Sequence, residues 1–312
     1  MIREPLTSHL PDGPLDVAAV RAVDDRLRAQ NPAPAPATPP EVVQADGVEL
    51  RVHGGASDGR ACVLWIHGGG MFLGAARYDD LFCSDLAAAL GTPVVAVDYR
   101  LAPEHPHPAP LHDCRTALAW CAERYQRVVV AGASAGGGLA AALCLLTRDE
   151  ARNAARNAAR NAARDEARNA ARDEGGPAIA AAHLYYPMLD DRHDASGHED
   201  TPVWNRRLDE LAWAAYLGGR PADSYAAPGR EADLDGLPPT YLDIGERDLF
   251  RDEGADYARR LADAEVPTLF ELVPGAVHAF ELYDPDAGIS RAARERRRTA
   301  LRSSLREDFR TW

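Results

Sequence analysis

The stretch Arg127-Val-Val-Val-Ala-Gly-Ala-Ser-Ala-Gly-Gly-Gly-Leu-Ala-Ala-Ala-Leu-Cys-Leu-Leu-Thr147 decides how this chain folds. Val128 to Thr147 carries no charge and approaches the length of a membrane span. Its centre, Gly132-Ala-Ser-Ala-Gly-Gly-Gly138, would break a single helix. A buried strand over Arg127–Gly132, a tight turn at Ser134 and a buried helix from Ala135 explain the stretch better. A strand that feeds a helix through a tight turn is the building unit of a parallel sheet.

The pattern continues on both sides. Short apolar or β-branched runs occur at Val48–His53, Cys62–His67, Pro93–Asp98, Ile179–Tyr185, Thr240–Ile244 and Thr268–Val273, and helical periodicity marks about 79–90, 111–124, 135–148 and 252–264. This alternation predicts an α/β fold with a mostly parallel central sheet covered by helices on both faces. Residues 15–30 predict an amphipathic helix, and Asn31-Pro-Ala-Pro-Ala-Pro-Ala-Thr-Pro-Pro40 a stiff linker. Residues 189–236 are polar, contain Trp204, Trp213 and Tyr216, and break the alternation. With residues 1–40 they are expected to form a cap over the domain spanning 41–312.

Residues 151–174 repeat a tetrad, ARNA or ARDE, six times. Ala and Arg favour helix, and a four-residue period drifts only about 40° per repeat, so the six arginines form a slowly turning stripe. Like charges at i,i+4 are mildly unfavourable, and the Asp-Glu tetrads partly offset them. With nothing larger than Ala to bury, the segment reads as a solvent-exposed extension of the helix after Ser134, roughly 40 residues and on the order of 60 Å in all.

Composition excludes several functions. The chain has 312 residues, 46% hydrophobic and 27% charged, and a formal net charge of −13. Such an acidic chain repels phosphate backbones and anionic lipid, so neither nucleic acid nor a membrane surface is expected as a partner. All 35 basic residues are Arg. Schiff-base and P-loop chemistry, which need Lys, are ruled out. The N-terminus lacks the apolar run of a signal or anchor. Five scattered cysteines without CxxC spacing suggest reduced thiols in the cytoplasm.

Three features converge on nucleophilic acyl chemistry. In Gly132-Ala133-Ser134-Ala135-Gly136, small residues flank a serine at a strand-to-helix turn, the setting of a strained, exposed nucleophile. Upstream, His67-Gly68-Gly69-Gly70 follows a strand, and its glycines allow N–H groups to converge on one point. Gly68, Gly69 and Ala135 would supply an oxyanion hole. Downstream, Asp248 and His278 each follow a strand and complete the order Ser, Asp, His. Ser134 would attack, His278 would move the proton, and Asp248 would orient the imidazole. Asp252 and Glu246 are rival acids, but Asp248 lies just past the strand end, whereas Asp252 suits a helix start.

These motifs, with Tyr99-Arg-Leu-Ala-Pro-Glu-His-Pro-His-Pro-Ala109 and Asp248-Leu-Phe-Arg-Asp-Glu253, resemble those of the hormone-sensitive-lipase-like branch of the α/β-hydrolase esterases over about residues 48–312. The resemblance implies an eight-stranded sheet, a helical cap, and cofactor-free hydrolysis of carboxylic esters with short to medium acyl chains. Ala133 and Ala279 depart from it, standing where relatives usually have Asp or Thr and Gly. The tetrad repeat is foreign to it. His105, His107, His112 and Asp113 lie close together, but Pro106 and Pro108 interrupt them and the resemblance makes that stretch structural, so no metal site is expected. Met71, Phe72, Trp204, Trp213 and Phe280 are pocket candidates, although large apolar residues are core by default. The seven arginines of Arg291–Arg306 read as a solvated helix face, with Ala292, Leu301, Leu305 and Phe309 turned inward. An amidase, peptidase or lactonase with the same triad, or a hydrolase-fold binding protein, remains an alternative. A small ester is the expected guest, and a homodimer is compatible with these features.

Overall fold

The computed structural model describes residues 5–55, 59–164, 178–192, 194, 201–306 and 308–312. Its strands are β1 (Glu41–Ala45), β2 (Val48–His53), β3 (Ala61–Ile66), β4 (Val94–Asp98), β5 (Arg127–Ala133), β6 (Ile179–Tyr185), β7 (Thr240–Gly245) and β8 (Thr268–Val273). They form one sheet in the order β1-β2-β4-β3-β5-β6-β7-β8. β1, β2 and β4 pair antiparallel, and every pairing from β4 to β8 is parallel. The central strands Ala-Cys-Val-Leu-Trp-Ile and Val-Val-Val-Ala-Gly-Ala are buried along their length. Continuous apolar runs are what a parallel sheet covered on both faces requires.

Seven of these strands follow the apolar runs of the sequence; β1 does not. Glu41-Val-Val-Gln-Ala45 is an edge strand buried only at Ala45. Its pairing with β2 is fixed by Asp46-Gly47, both at positive φ (46° and 85°), which makes a two-residue hairpin turn. The Asp-Gly pair was the signal for it, hidden behind the proline-rich linker.

The helices are α1 (Val17–Gln30), α2 (Asp80–Leu90), α3 (Ala109–Ala122), α4 (Ala135–Arg164), α5 (Arg206–Leu217), α6 (Arg251–Asp263), α7 (Phe280–Tyr283) and α8 (Gly288–Ser304). None of the described helices is long and apolar enough to cross a membrane. Asp16 caps α1 by accepting from Ala19 N–H at 2.8 Å, and Asn205 caps α5 through Leu208 N–H at 3.1 Å. The N-terminal region and the α5 region meet: Arg207 donates to the carbonyls of Pro11, at 2.8 Å, and Gly13. Arg21 of α1 reaches the carbonyls of Phe72 and Ala102 and the carboxylate of Glu104.

α4 carries the first part of the tetrad repeat; residues 165–174 of that repeat lie outside the described residues. The expectation of a purely solvent-facing extension is corrected at its start. Arg152 pairs with Asp233 at 2.6 Å and donates to Asp235 O at 2.8 Å, and Arg148, just before the repeat, grips the carbonyls of Asp233 and Asp235. Tyr225 completes this clamp by donating to Asp149 at 2.8 Å. The C-terminal helix needs a correction too. Ala293, not Ala292, faces the core, and Arg297 is buried.

The Arg148 side chain is 6% exposed and that of Arg152 32%. Arg148→Ala removes a nearly buried guanidinium together with its bonds to two backbone carbonyls and is expected to cost about 1–3 kcal/mol. Arg152→Ala removes half-exposed ion pairs and should cost less than about 1 kcal/mol. Urea unfolding measures both, and the reverse order would contradict this account of the clamp.

Candidate active site

Four parallel strands end on the same side of the sheet, and each releases one of the loops singled out in the sequence: β3 leads to His67–Gly70, β5 to Ser134, β7 to Asp248 and β8 to His278. The crevice beyond the carboxyl ends of such strands is where open α/β sheets bind ligands.

Ser134 has φ +56°, a left-handed conformation that side chains rarely adopt. Three hydrogen bonds hold it. Its N–H donates to Tyr185 O at 2.9 Å, and its carbonyl accepts from Gly138 N–H at 3.0 Å and Met188 N–H at 3.1 Å. A Cβ on Gly132 would overlap the carbonyl of Gly136, and one on Gly136 would overlap the carbonyls of Ile66 and His67. Close packing of strand, turn and helix therefore requires glycine at both positions.

His278 Nε2 lies 2.9 Å from Ser134 Oγ. Its Nδ1 lies 2.9 and 3.1 Å from the two carboxylate oxygens of Asp248. A carboxylate accepts, so Nδ1 carries the proton and the Nε2 lone pair faces the serine hydroxyl. Asp248 Oδ1 also accepts from Phe250 N–H at 2.9 Å. All three side chains are buried. The rings of Tyr186 and Phe250 meet His278 edge-on at 4.9 and 5.1 Å and exclude water from its flanks. The two loops that bring Asp248 and His278 together are joined by Glu246 N–H to Val273 O at 3.0 Å and Arg247 N–H to Ala276 O at 2.9 Å. The rival acids have other partners: Glu246 accepts from Gly275 N–H, and Asp252 is an exposed partner of Arg251.

Gly68 lies against Ser134, since a Cβ there would stand 3.0 Å from Ala133 O and 3.3 Å from Ser134 Cβ. Among the described residues, the Gly68 and Gly69 N–H groups donate to no protein acceptor, and Ala135, first in α4, has no intrahelical one. His67 braces this loop. Its Nδ1–H donates to Gly68 O at 2.8 Å, its ring stacks on Tyr99 at 4.2 Å, and Tyr99 Oη–H donates to His67 O at 3.0 Å. Burial holds the His67 pKa below its usual value, so the ring is neutral and suits bracing rather than charge.

Of the pocket candidates, Trp204 makes a ring contact with His278. A Cβ on Gly70 would overlap its ring, which lies 6.4 Å from the His278 ring and 6.2 Å from Phe72. Met71 is buried beside the start of α4. Trp213 is buried in α5, near Tyr216, and lines a cavity of about 410 Å³ with Asp191, Asp209 and Glu210. Phe280 packs instead in a separate apolar cluster with Val273, Ala276 and Ala293. In the His105–Asp113 stretch, Asp113 is held by Arg100 and His107 lies between Tyr216 and Asp223.

Sequence reasoning missed a charged cluster behind His278. Arg297 forks onto Asp243 at 2.6 and 2.8 Å and pairs with Glu281, which also accepts from Tyr186 Oη–H at 2.7 Å. Its arginine sat among six others in the sequence, where nothing distinguished it. The inward period of Ala293, Ala300 and Leu301 on the same helix was the one available signal.

Comparison with known proteins agrees with this fold. Residues 63–282 match a family described by the alpha/beta hydrolase fold. The chain is 33% identical over 239 residues to Carboxylesterase NlhH of Mycobacterium tuberculosis, covering 72% of this chain and 67% of the relative. It is 35% identical over 252 residues to Esterase LipI of the same organism, covering 75% and 68%. Among solved structures it is similar to a Bacterial Heroin Esterase, with TM-score 0.80 and 34% identity over 96% of both chains.

Ala279 follows the base at φ +51°. A left-handed residue costs about 1–2 kcal/mol with a Cβ, and glycine returns part of that gain as unfolded-state entropy. Ala279→Gly is thus expected to stabilise the protein by about 0.5–1 kcal/mol and to keep its activity. A urea midpoint lowered by the substitution would refute this.

Proposed function

Since the chain belongs to the α/β-hydrolase fold family, we propose that it is a serine carboxylesterase that hydrolyses small carboxylic esters through an acyl-enzyme at Ser134. The observation that carries this reading is the unbroken chain from Ser134 Oγ through His278 to Asp248, with 2.9 Å at both links. The names of the similar proteins support an ester as substrate.

Each step uses groups already in place. Ser134 Oγ attacks the ester carbon while His278 Nε2 takes its proton, and Asp248 stabilises the imidazolium. The oxyanion accepts from the N–H groups of Gly68, Gly69 and Ala135, where loss of one donor typically costs about 3–4 kcal/mol. Collapse breaks the carbon–oxygen bond, and His278 returns the proton to the departing alcohol. Water then attacks the acyl-enzyme by the same route, releasing the acid and restoring Ser134 Oγ–H. The chain's own residues supply every proton transfer, so no cofactor is invoked.

The N-terminal region and the segment around α5 form the cap. Trp204 closes this cap over Gly70 and favours short to medium acyl chains. An amidase, peptidase or lactonase would use the same triad, and no observation favours those leaving groups. A small ester rather than nucleic acid suits the net charge of −13. Five buried, free cysteines suit the reducing cytoplasm.

A series of p-nitrophenyl esters from acetate to decanoate tests the reading. The wild type is expected to hydrolyse the shorter members, and Ser134→Ala to abolish turnover; an inactive wild type or an unaffected variant would sink the assignment. Asp248→Asn should lower kcat on the order of 10⁴-fold by imposing the wrong tautomer. Asp252→Asn should stay within a few fold, and a larger loss there would move the acid to that residue.

A further inference from the structure

Asp243, Glu281 and Arg297 are all buried, and no step of the reaction uses them. Removing such charges from water is costly, and apolar residues of the same volume would often pack as stably. The position of the cluster gives it a use. Asp243 lies on β7, five residues before Asp248, and Glu281 lies three residues after His278. Tyr186 meets the His278 ring at a steep angle with centroids 4.9 Å apart, donates its N–H to Asp243 O at 2.7 Å and donates its hydroxyl to Glu281 at 2.7 Å. One guanidinium from α8 thus joins the strand that carries the acid, the turn that carries the base, and the ring against which the base rests. It also lies over the Tyr185 and Tyr186 rings, at 4.3 and 5.2 Å.

We propose that Arg297, acting through Glu281 and Tyr186, is a positioning residue for His278. Burial alone would push the Glu281 carboxyl up, but Arg297, by charge and hydrogen bond, outweighs it and holds it below the usual range, so the pair is ionised. The bonds converge on a single oxygen, Glu281 Oε1, while Oε2 is buried with no hydrogen-bond partner among the described residues. Shape and hydrogen bonding at Oε1 therefore matter to the tether, and the second oxygen does not. Release of Glu281 frees α7 and the His278 turn together, and a displacement of about 1 Å at a catalytic group can cost on the order of 100-fold in rate.

The inference rests on the triad reading and is separable from it. In Glu281→Gln the amide oxygen replaces Oε1 and keeps both bonds, so kcat is expected to remain within a few fold. In Glu281→Ala kcat should fall on the order of ten- to 100-fold with KM nearly unchanged, because the base is displaced while the ester site is intact. Tyr186→Phe removes only the hydroxyl and leaves the ring against His278. It should fold as the wild type does by circular dichroism and lose kcat in the same direction, which keeps the test open if Glu281→Ala does not fold. Wild-type kcat in Tyr186→Phe and in any folded Glu281→Ala, with Ser134→Ala inactive, would reduce the cluster to a brace and overturn the inference alone. Equal losses in kcat for the Gln and Ala variants would overturn it as well. An active Ser134→Ala would instead overturn the triad reading itself.

Discussion

The left-handed backbone of Ser134 is the constraint from which the rest of the site follows. A side chain at φ +56° costs about 1–3 kcal/mol and persists only where its surroundings over-determine it. Here β5 and β6 fix the residue from one side through Tyr185 O, while α4 and the chain after β6 take its carbonyl through Gly138 and Met188. The strain lifts the hydroxyl off the sheet toward His278 and brings the start of α4 beneath it. It also forces backbone so close to backbone that Gly132 and Gly136 cannot carry a Cβ. The same approach sets Gly68 against the serine, so the proposed oxyanion donors and the proposed nucleophile are positioned by one packing event.

Much of this was legible in the residues because it is written in local chemistry. Apolar runs of strand length, a glycine-flanked serine and loops that follow strands depend on neighbours in sequence, and the sheet in space follows their order except that β4 lies between β2 and β3. What escaped was non-local or masked by composition. β1 carries too few apolar residues to be seen by its run, and only its Asp46-Gly47 turn reveals it. Arg297 is one of seven arginines in its stretch, and its burial is decided by carboxylates 54 and 16 residues away. Arg152 looked like the first member of a solvent stripe, yet Asp233 and Asp235 lie within its reach across the fold. The departure at Ala279 was visible in sequence, but its meaning needed the positive φ that only the structure supplies.

A chain without lysine also has a particular interior. Lysine is a point charge on a flexible stem, whereas the guanidinium presents a planar fork of donors. Arg297 uses that fork: two nitrogens serve Asp243, a third serves Glu281, and the plane lies over Tyr185. An ammonium in that place could meet the charge but not both carboxylates and the ring together. Arg148 and Arg260 use the same geometry on backbone, each reaching two carbonyls of the segment between α5 and β7. Arginine thus performs here what apolar packing does elsewhere, tying irregular segments to the helices at points where carbonyls and carboxylates gather.

Trp204 is held by a different kind of contact. Trp204 rests on Gly70, where no Cβ fits, and its ring lies between the oxyanion loop and His278. Val203, just before it, has φ +83°, an outlier for a β-branched residue, and Asn205, just after it, caps α5. The tryptophan is therefore held between a strained residue and a helix cap rather than by free choice of rotamer. A wall fixed in that way does not yield to a longer chain without undoing either the strain or the cap. On the proposed reading, a limit on acyl length belongs to the backbone on both sides of Trp204 as much as to the volume of its ring.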